Sequence, residues 1–210
     1  MGAIKLVIAD AILTGMWVFC ASCLGIGTRV ISTALGIQDQ AHASIFITTV
    51  LVYILVFIFG IIGDLLGGAT GAVGGALAIV EVMPIQYKHM LGGPSVKVDL
   101  HTGAMAEGIL TLIISLAVLL IIIRGPRSPL LKNWLLAMST VALVVAGSSY
   151  TGPSMNPANA FGWAYVNNKH DKWEHFYVYW VCPFIGATIA AWIFRALFAP
   201  APAPKKQKKA

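Results

Sequence analysis

Long apolar stretches separated by short polar segments dominate the chain. Crossing a hydrocarbon core of ~30 Å takes about 20 helical residues at ~1.5 Å each. Six stretches approach or meet this length, and they predict membrane-spanning helices over 6–26, 44–62, 66–83, 102–123, 131–147 and 176–198. The third is the weakest, since it spans only if its helix begins near Leu66. The pattern therefore predicts an all-α membrane protein whose main partner is the lipid bilayer.

Composition agrees with this class. Hydrophobic residues make up 58% of the chain and charged residues only 10%, which is too apolar for a soluble domain. The formal net charge of +6 comes from residues between the spans and in the tail. Because these residues form no basic face, nucleic acid is not an expected partner. The short basic segment 124–132 and the Lys-rich end of the chain are both expected to face the cytosol, and six spans put the amino terminus there too.

The chain repeats itself. Asp10-Ala-Ile-Leu-Thr14 in the first span matches Glu107-Gly-Ile-Leu-Thr111 in the fourth, and Gly71-Ala in the third matches Gly186-Ala in the sixth. A unit of three spans therefore occurs twice, and an odd number of spans makes the two copies inverted. We predict one transmembrane channel domain over 1–198, with repeats at 1–83 and 102–198, and a basic cytosolic tail over 199–210.

The second repeat has about 31 residues, 153–185, that the first repeat lacks. They begin within the motif Thr151-Gly-Pro-Ser-Met-Asn156-Pro157-Ala158-Asn159. Asn156 is a favourable N-cap and Pro157 suits the first helical position, so a short helix follows over 158–165. A helix this short cannot span. Since irregular backbone at membrane depth is tolerated where it lines a cavity, this segment predicts a re-entrant loop beside a water-filled lumen.

Such a lumen has a defined chemistry. The amino end of the half-helix carries about half a positive charge, which repels cations and protons. The amide N–H groups of Asn156 can donate to a passing water and interrupt a proton wire. The alternative is that Asn156-Pro157-Ala158 is a loop turn opening an ordinary interfacial helix. Its position inside an inverted repeat favours the pore loop.

With these motifs, the basic loop and the Lys-rich tail, the chain resembles the aquaporin, or major intrinsic protein, family, and within it the plant small basic intrinsic proteins of the first subgroup. The resemblance covers nearly the whole chain. It implies that Asn156, Pro157 and Ala158 form the pore motif. It also implies that the selectivity filter consists of Val52, Val144, Pro153 and Asn159, with Asn159 standing where the family usually has an arginine. This uncharged filter predicts weak discrimination between water and other small neutral solutes.

Two carboxylates lie inside predicted spans, where an ionisable group is costly and is usually paired. We expect Glu107 to brace the re-entrant loop through backbone N–H groups, and Asp10 to be its counterpart in the first repeat. The alternative for both is a position at the membrane edge. The loop that Asp10 would brace is the one that the chain lacks.

The missing segment is the largest departure from the family pattern. Family members carry a first Asn-Pro loop between the second and third spans, whereas here Gly67-Gly68-Ala69 leads directly into Thr70-Gly71. Glycines at 67, 71 and 75 would let this hairpin pack closely. We expect conduction that is altered or absent relative to a full-length relative.

Other candidate sites are weaker. Cys20, Cys23 and Cys182 are expected to be buried free thiols, and no metal, cofactor or enzymatic site is predicted. The five histidines are expected at the surface, and five aromatic residues are expected to form an interfacial belt, namely Trp163, Trp173, Tyr177, Tyr179 and Trp180.

Two other functions remain open, a secondary transporter and a non-conducting or regulatory truncated isoform that assembles with full-length channels. The resemblance implies a homo- or hetero-tetramer with a pore in each subunit. Lys206 and Lys208 resemble a dilysine retrieval signal, which predicts the endoplasmic reticulum, although a plain polybasic tail would look the same.

Overall fold

The structure is a computed structural model that describes residues 3–62 and 69–198. The helices are α1 (Ala3–Ser22), α2 (Leu24–Ala34), α3 (Ala41–Ile62), α4 (Ala69–Val82), α5 (Ile85–Lys88), α6 (Leu100–Leu119), α7 (Pro129–Gly147), α8 (Pro157–Val166), α9 (Trp173–Phe176) and α10 (Cys182–Phe198). A π-helical segment, Leu120–Arg124, extends α6, and another, Tyr177–Val181, joins α9 to α10. No strand occurs in the described ranges, so the predicted all-α class is confirmed.

Each of the six predicted spans corresponds to a helix. In the described part of the chain, four helical stretches are long and apolar enough to cross a membrane, Ala11–Ala34, Leu100–Arg124, Pro129–Gly147 and Trp173–Phe198. The second and third spans contain shorter apolar helices, Ala41–Leu55 and Gly71–Val82. The third, α4, has 14 residues and begins at Ala69. The start predicted for it, Leu66, lies outside the described residues, as do Gly67, Gly68 and the basic tail.

The first span extends well beyond its predicted end at Ile26. After a break at Cys23, α2 continues to Ala34, and part of this polar stretch packs inside the fold. Thr28 and Thr48, for example, share a hydrogen bond of 2.9 Å between their hydroxyls. The helix stops at Gly36, whose φ of 68° lies in the left-handed region and completes a Schellman cap.

The same close helix contact occurs in both repeats. A Cβ at Gly71 of α4 would collide with the carbonyl of Ala11 in α1, and a Cβ at Gly186 of α10 would collide with the carbonyl of Gly108 in α6. These positions are equivalent in the two halves of the sequence. In the first repeat Gly75 makes a second contact of this kind, against Gly15. Small residues therefore bring the first and third helices of both repeats into backbone contact, as expected for helices packed in lipid.

The two repeats meet where α4 packs against α8. A Cβ at Gly162 of α8 would stand 2.6 Å from the carbonyl oxygen of Ala72 in α4. Around this contact lies a core of buried side chains that includes Val18, Ile79 and Trp163. The packing holds the short helix α8 inside the bundle, beside the third helix of the first repeat.

Candidate pore and its supporting carboxylate

The short helix α8 begins at the Asn-Pro-Ala motif. Asn156 has an extended backbone (φ −146°, ψ 109°), and its side-chain oxygen accepts a hydrogen bond of 2.9 Å from the N–H of Ala158. Pro157 occupies the first turn, where its missing N–H removes no helical bond. The helix has 10 residues, about 15 Å of length, which is half of a hydrocarbon core.

Glu107 of α6 binds the segment that leads into α8. Its side chain is fully buried. One carboxylate oxygen accepts from the Thr151 hydroxyl at 2.8 Å and from the Ser154 N–H at 2.9 Å, and the other accepts from the Met155 N–H at 3.0 Å. Three donors thus compensate for removing this carboxylate from water. In exchange, the carboxylate satisfies two backbone groups that have no place in a helix.

Met155 has the most unusual backbone of the site. Its φ of 49° lies in the left-handed region, which costs a non-glycine residue about 1–2 kcal/mol. This conformation turns successive N–H groups, those of Ser154 and Met155, toward the same carboxylate, in the manner of an anion-binding nest. The hydrogen bonds to Glu107 therefore stabilise a loop conformation that Met155 disfavours on its own.

Further hydrogen bonds close the loop upon itself. The Ser154 hydroxyl donates to the carbonyl of Asn156 at 2.7 Å, and the side-chain amide of Asn159 donates to the Ser154 hydroxyl at 3.3 Å. The hydroxyl of Tyr179 donates to the carbonyl of Thr151 at 3.2 Å. The loop is thus tied to α6 through Glu107 and to the π-helical segment before α10 through Tyr179.

These contacts correct part of the sequence analysis. Tyr179 and Trp163, expected in an interfacial belt, are only 4% and 6% exposed. His175, expected at the surface, is buried as well. The belt prediction was wrong for the first two because span aromatics look alike in sequence, whether a neighbouring helix covers them or not. Tyr179 and Thr151 are the supporting residues that sequence reasoning missed; the only available signal was that Thr151 opens the motif.

The loop borders a cavity of about 590 Å³. Its lining includes all four residues expected in the filter, Val52 of α3, Val144 of α7, and Pro153 and Asn159 of the loop and α8. The lining also includes Met155 but none of Asn156, Pro157 and Ala158; Asn156 is half-buried beside the cavity. Three separate segments, α3, α7 and the re-entrant segment, therefore contribute the expected filter residues to one space.

The remaining predicted sites are less well defined. Asp10 lies in α1, but its side chain is outside the described residues. The cysteines Cys20, Cys23 and Cys182 are free and half-buried. In the described part of the chain, no group of three or more potential metal ligands comes together.

Comparison with known proteins adds family relationships to this geometry. The family model described as "Major intrinsic protein" matches residues 58–194. The chain is 51% identical to Aquaporin SIP1-1 of Oryza sativa subsp. japonica, over 100% of this chain and 99% of that protein. It is 47% identical to Aquaporin SIP1-1 of Arabidopsis thaliana, over the full length of both.

The alignment to the Oryza sativa protein spans 245 positions, whereas the chain has 210 residues. About 35 aligned positions therefore have no counterpart here, close to the 31 residues that the internal repeat predicts to be missing.

The fold is similar to that of a solved channel. The X-ray structure of the aquaglyceroporin from Plasmodium falciparum superposes with a TM-score of 0.70, over 92% of this chain and 97% of that one. Sequence identity between the two is 14%, so the similarity concerns the fold alone. The predicted inverted repeat of three plus three helices with a re-entrant half-helix is confirmed at this level.

Proposed function

This chain belongs to the major intrinsic protein family, and from that premise we propose that it is a transmembrane channel for the passive passage of water and other small neutral solutes. The family and the helices place it in the membrane as an integral protein. This proposal is supported by the polar loop that enters the apolar bundle and borders a cavity.

One observation supports this function most directly. The cavity draws Val52, Val144 and two residues of the re-entrant segment from distant parts of the chain into a common lining. These residues carry no charge, and two of them are aliphatic. A constriction of this kind offers few hydrogen bonds to a passing water, so it admits small neutral solutes in general and not only water.

The half-helix α8 supplies the electrostatic part of the proposal. Its amino end carries a partial positive charge close to the cavity, which disfavours cations. Asn156 commits its side-chain oxygen to the cap, so its amide N–H groups are the part of the side chain that remains for a solute oxygen. A water that accepts from them is oriented against proton hopping.

The test is the swelling rate of proteoliposomes that carry the full chain. Asn156→Ala removes both the cap and the amide donors, and the cap alone is worth about 1 kcal/mol. Asn156→Asp keeps a capping oxygen and removes the donors. We expect both variants to lose several-fold permeability to water and glycerol, with Asn156→Asp retaining the thermal stability of the parent protein. Parent-level permeability in Asn156→Asp would contradict the proposed role of the amide.

A second function is favoured by the missing positions. Only residues 63–68 join α3 to α4, too few for a half-helix like α8 with its lead-in. A non-conducting subunit that assembles with full-length channels would fit this shortened repeat. Swelling no faster than that of empty liposomes, together with co-purification of a full-length relative, would select this function over an independent channel.

Family membership also supports a tetramer, cytosolic termini and residence in the endoplasmic reticulum. Residence in the endoplasmic reticulum would depend on Lys206 and Lys208, near the end of the chain. Transfer of residues 199–210 to a plasma-membrane reporter should retain it in the endoplasmic reticulum, and replacement of both lysines by serine should release it.

A further inference from the structure

Among the described residues that line the cavity, Lys97 is the one that carries a charge. It lies in the loop that joins α5 to α6, and the neighbouring residues Gly92, Gly93 and Pro94 contribute to the same lining. No carboxylate is among the described residues of the lining. The electrostatic character of this cavity thus depends on one side chain that lies outside both the pore motif and the expected filter.

The position of Lys97 is fixed at both its backbone and its side chain. Its N–H donates to the carbonyl of Tyr150 at 2.8 Å, and its ammonium donates to the carbonyl of Ser148 at 2.8 Å. The N–H of Ser95 donates to the carbonyl of Thr151, also at 2.8 Å. The loop therefore runs alongside residues 148–151, whose last member binds Glu107. These bonds fix the position of the ammonium beside the re-entrant segment.

The acceptor of the ammonium is itself favourable. Ser148 is the C-cap of α7, so its carbonyl lies at the negative end of that helix, where a cation is stabilised. This contact holds the charge in place without cancelling it, because a carbonyl carries no formal charge. An ion pair with a carboxylate would have neutralised it.

The carboxylate closest in sequence is engaged elsewhere. Asp99 caps α6, accepting from the N–H of Thr102 at 3.0 Å, and hydrogen bonds from Thr102 hold the pKa of Asp99 below its ordinary value. Asp99 is not part of the cavity lining. Among the described residues, the hydrogen-bond acceptor of the Lys97 ammonium is the Ser148 carbonyl.

We propose that Lys97 is the charge-selecting residue of this cavity, and that its ammonium repels small cations while neutral solutes enter freely. The inference rests on the proposed channel function. Its physical basis is that a cavity with low-dielectric walls focuses the field of a charge at its mouth, so that a partly solvated ammonium acts on an approaching ion more strongly than it would on an open surface. Because Lys97 is exposed, salt should weaken the effect.

The experiment compares three variants in proteoliposomes of the full chain. Lys97→Met keeps the length of the side chain and removes its charge, and Lys97→Arg keeps the charge. Lys132→Met is the matched control, because the Lys132 ammonium also donates to a helix-end carbonyl, that of Ile122, at 2.8 Å, but does not line the cavity. Water permeability is measured by stopped-flow swelling, and cation entry by potassium flux and by methylammonium uptake.

We expect Lys97→Met to raise cation flux relative to water flux about three- to tenfold in low salt, with water permeability unchanged. Lys97→Arg and Lys132→Met should behave like the parent protein. In 1 M salt, where the Debye length is about 3 Å, the difference between Lys97→Met and the parent should shrink.

The outcomes separate the two proposals. Neutral-solute flux that persists while Lys97→Met leaves the cation ratio unchanged overturns the role of Lys97 alone. An equal rise in Lys97→Met and Lys132→Met also overturns it, since the effect would then be one of net charge. Absence of neutral-solute flux in every variant overturns the channel function and this inference with it.

Discussion

The two repeats share one helical frame and differ in what lies between their second and third long helices. In the second repeat, residues 148–172 separate α7 from α9 and contain α8. In the first, residues 63–68 alone separate α3 from α4. Yet α1 and α4 meet through Gly71 as α6 and α10 meet through Gly186. The helix contact does not depend on the half-helix, so a repeat can lose its pore loop and keep its frame.

What the second repeat has in addition is a loop with its own support. Glu107 accepts three hydrogen bonds from this loop, and Tyr179 donates a fourth. Frame and loop are thus stabilised by different interactions, backbone proximity at small residues for the one and a buried carboxylate for the other. The difference predicts that substitutions in the frame should act alike in both repeats, whereas substitutions of the carboxylates should not.

The largest effect is expected at Glu107. Glu107→Gln keeps one acceptor oxygen but presents an amide NH₂ to loop donors, so at least one buried donor loses its partner. We expect the variant to lose about 2–4 kcal/mol of stability and at least tenfold in water permeability. Thermal unfolding in detergent and vesicle swelling measure the two losses.

The matched change in the first repeat is Asp10→Asn. Because the loop that Asp10 would brace is absent from the sequence, we expect less than about 1 kcal/mol and little change in permeability. Equal losses in the two variants would contradict the division between frame and loop. Such a result would mean that Asp10 supports a structure of its own in the first repeat.

The helices and the pore motif could be predicted from the sequence because their signals are local. Apolar runs locate the spans, and Asn156 followed by Pro157 indicates a helix start from the requirements of an N-cap. The equivalence of Gly71 and Gly186 followed from the internal repeat. Each of these signals lies within a few residues or recurs at an equivalent position.

The supporting contacts could not be predicted in the same way. Tyr179 reaches Thr151 only because the segment before α10 turns one face toward the loop, and a single sequence does not show which face that is. The extension of α2 past Ile26 likewise depends on the Thr28–Thr48 contact between helices. In the sequence, Lys97 looks like any other loop lysine. The cavity that gives it a role forms only in the folded chain.

The next effect in size concerns the shared frame. Gly71→Ala and Gly186→Ala each place a Cβ against the backbone of the facing helix, so the helices must separate. We expect each variant to lose about 1–3 kcal/mol, by similar amounts in the two repeats. Thermal unfolding of the two variants, side by side, tests the equality.

Gly74→Ala is the control for this pair. It lies in α4 between Gly71 and Gly75, but a Cβ there would meet no atom within 4 Å. Alanine favours a helix over glycine by up to about 1 kcal/mol, so this variant should be neutral or slightly more stable. A loss at Gly74 as large as that at Gly71 would show that the helix, and not its contact, is sensitive to substitution.

A small effect is also expected at Met155, where it measures the coupling between the loop and the carboxylate. Met155→Gly relieves a left-handed conformation but adds freedom to the unfolded chain, so the two terms offset and the net change should stay within about 1 kcal/mol. Glycine adopts this backbone without assistance. The loss of unfolding free energy caused by Glu107→Gln should therefore be smaller by some tenths of a kcal/mol when Met155 is already glycine. A double-mutant cycle of unfolding free energies measures this difference. If the effects of the two substitutions were strictly additive, the carboxylate would bind the loop without stabilising its left-handed conformation. The contrast between the repeats would then depend on hydrogen bonding alone.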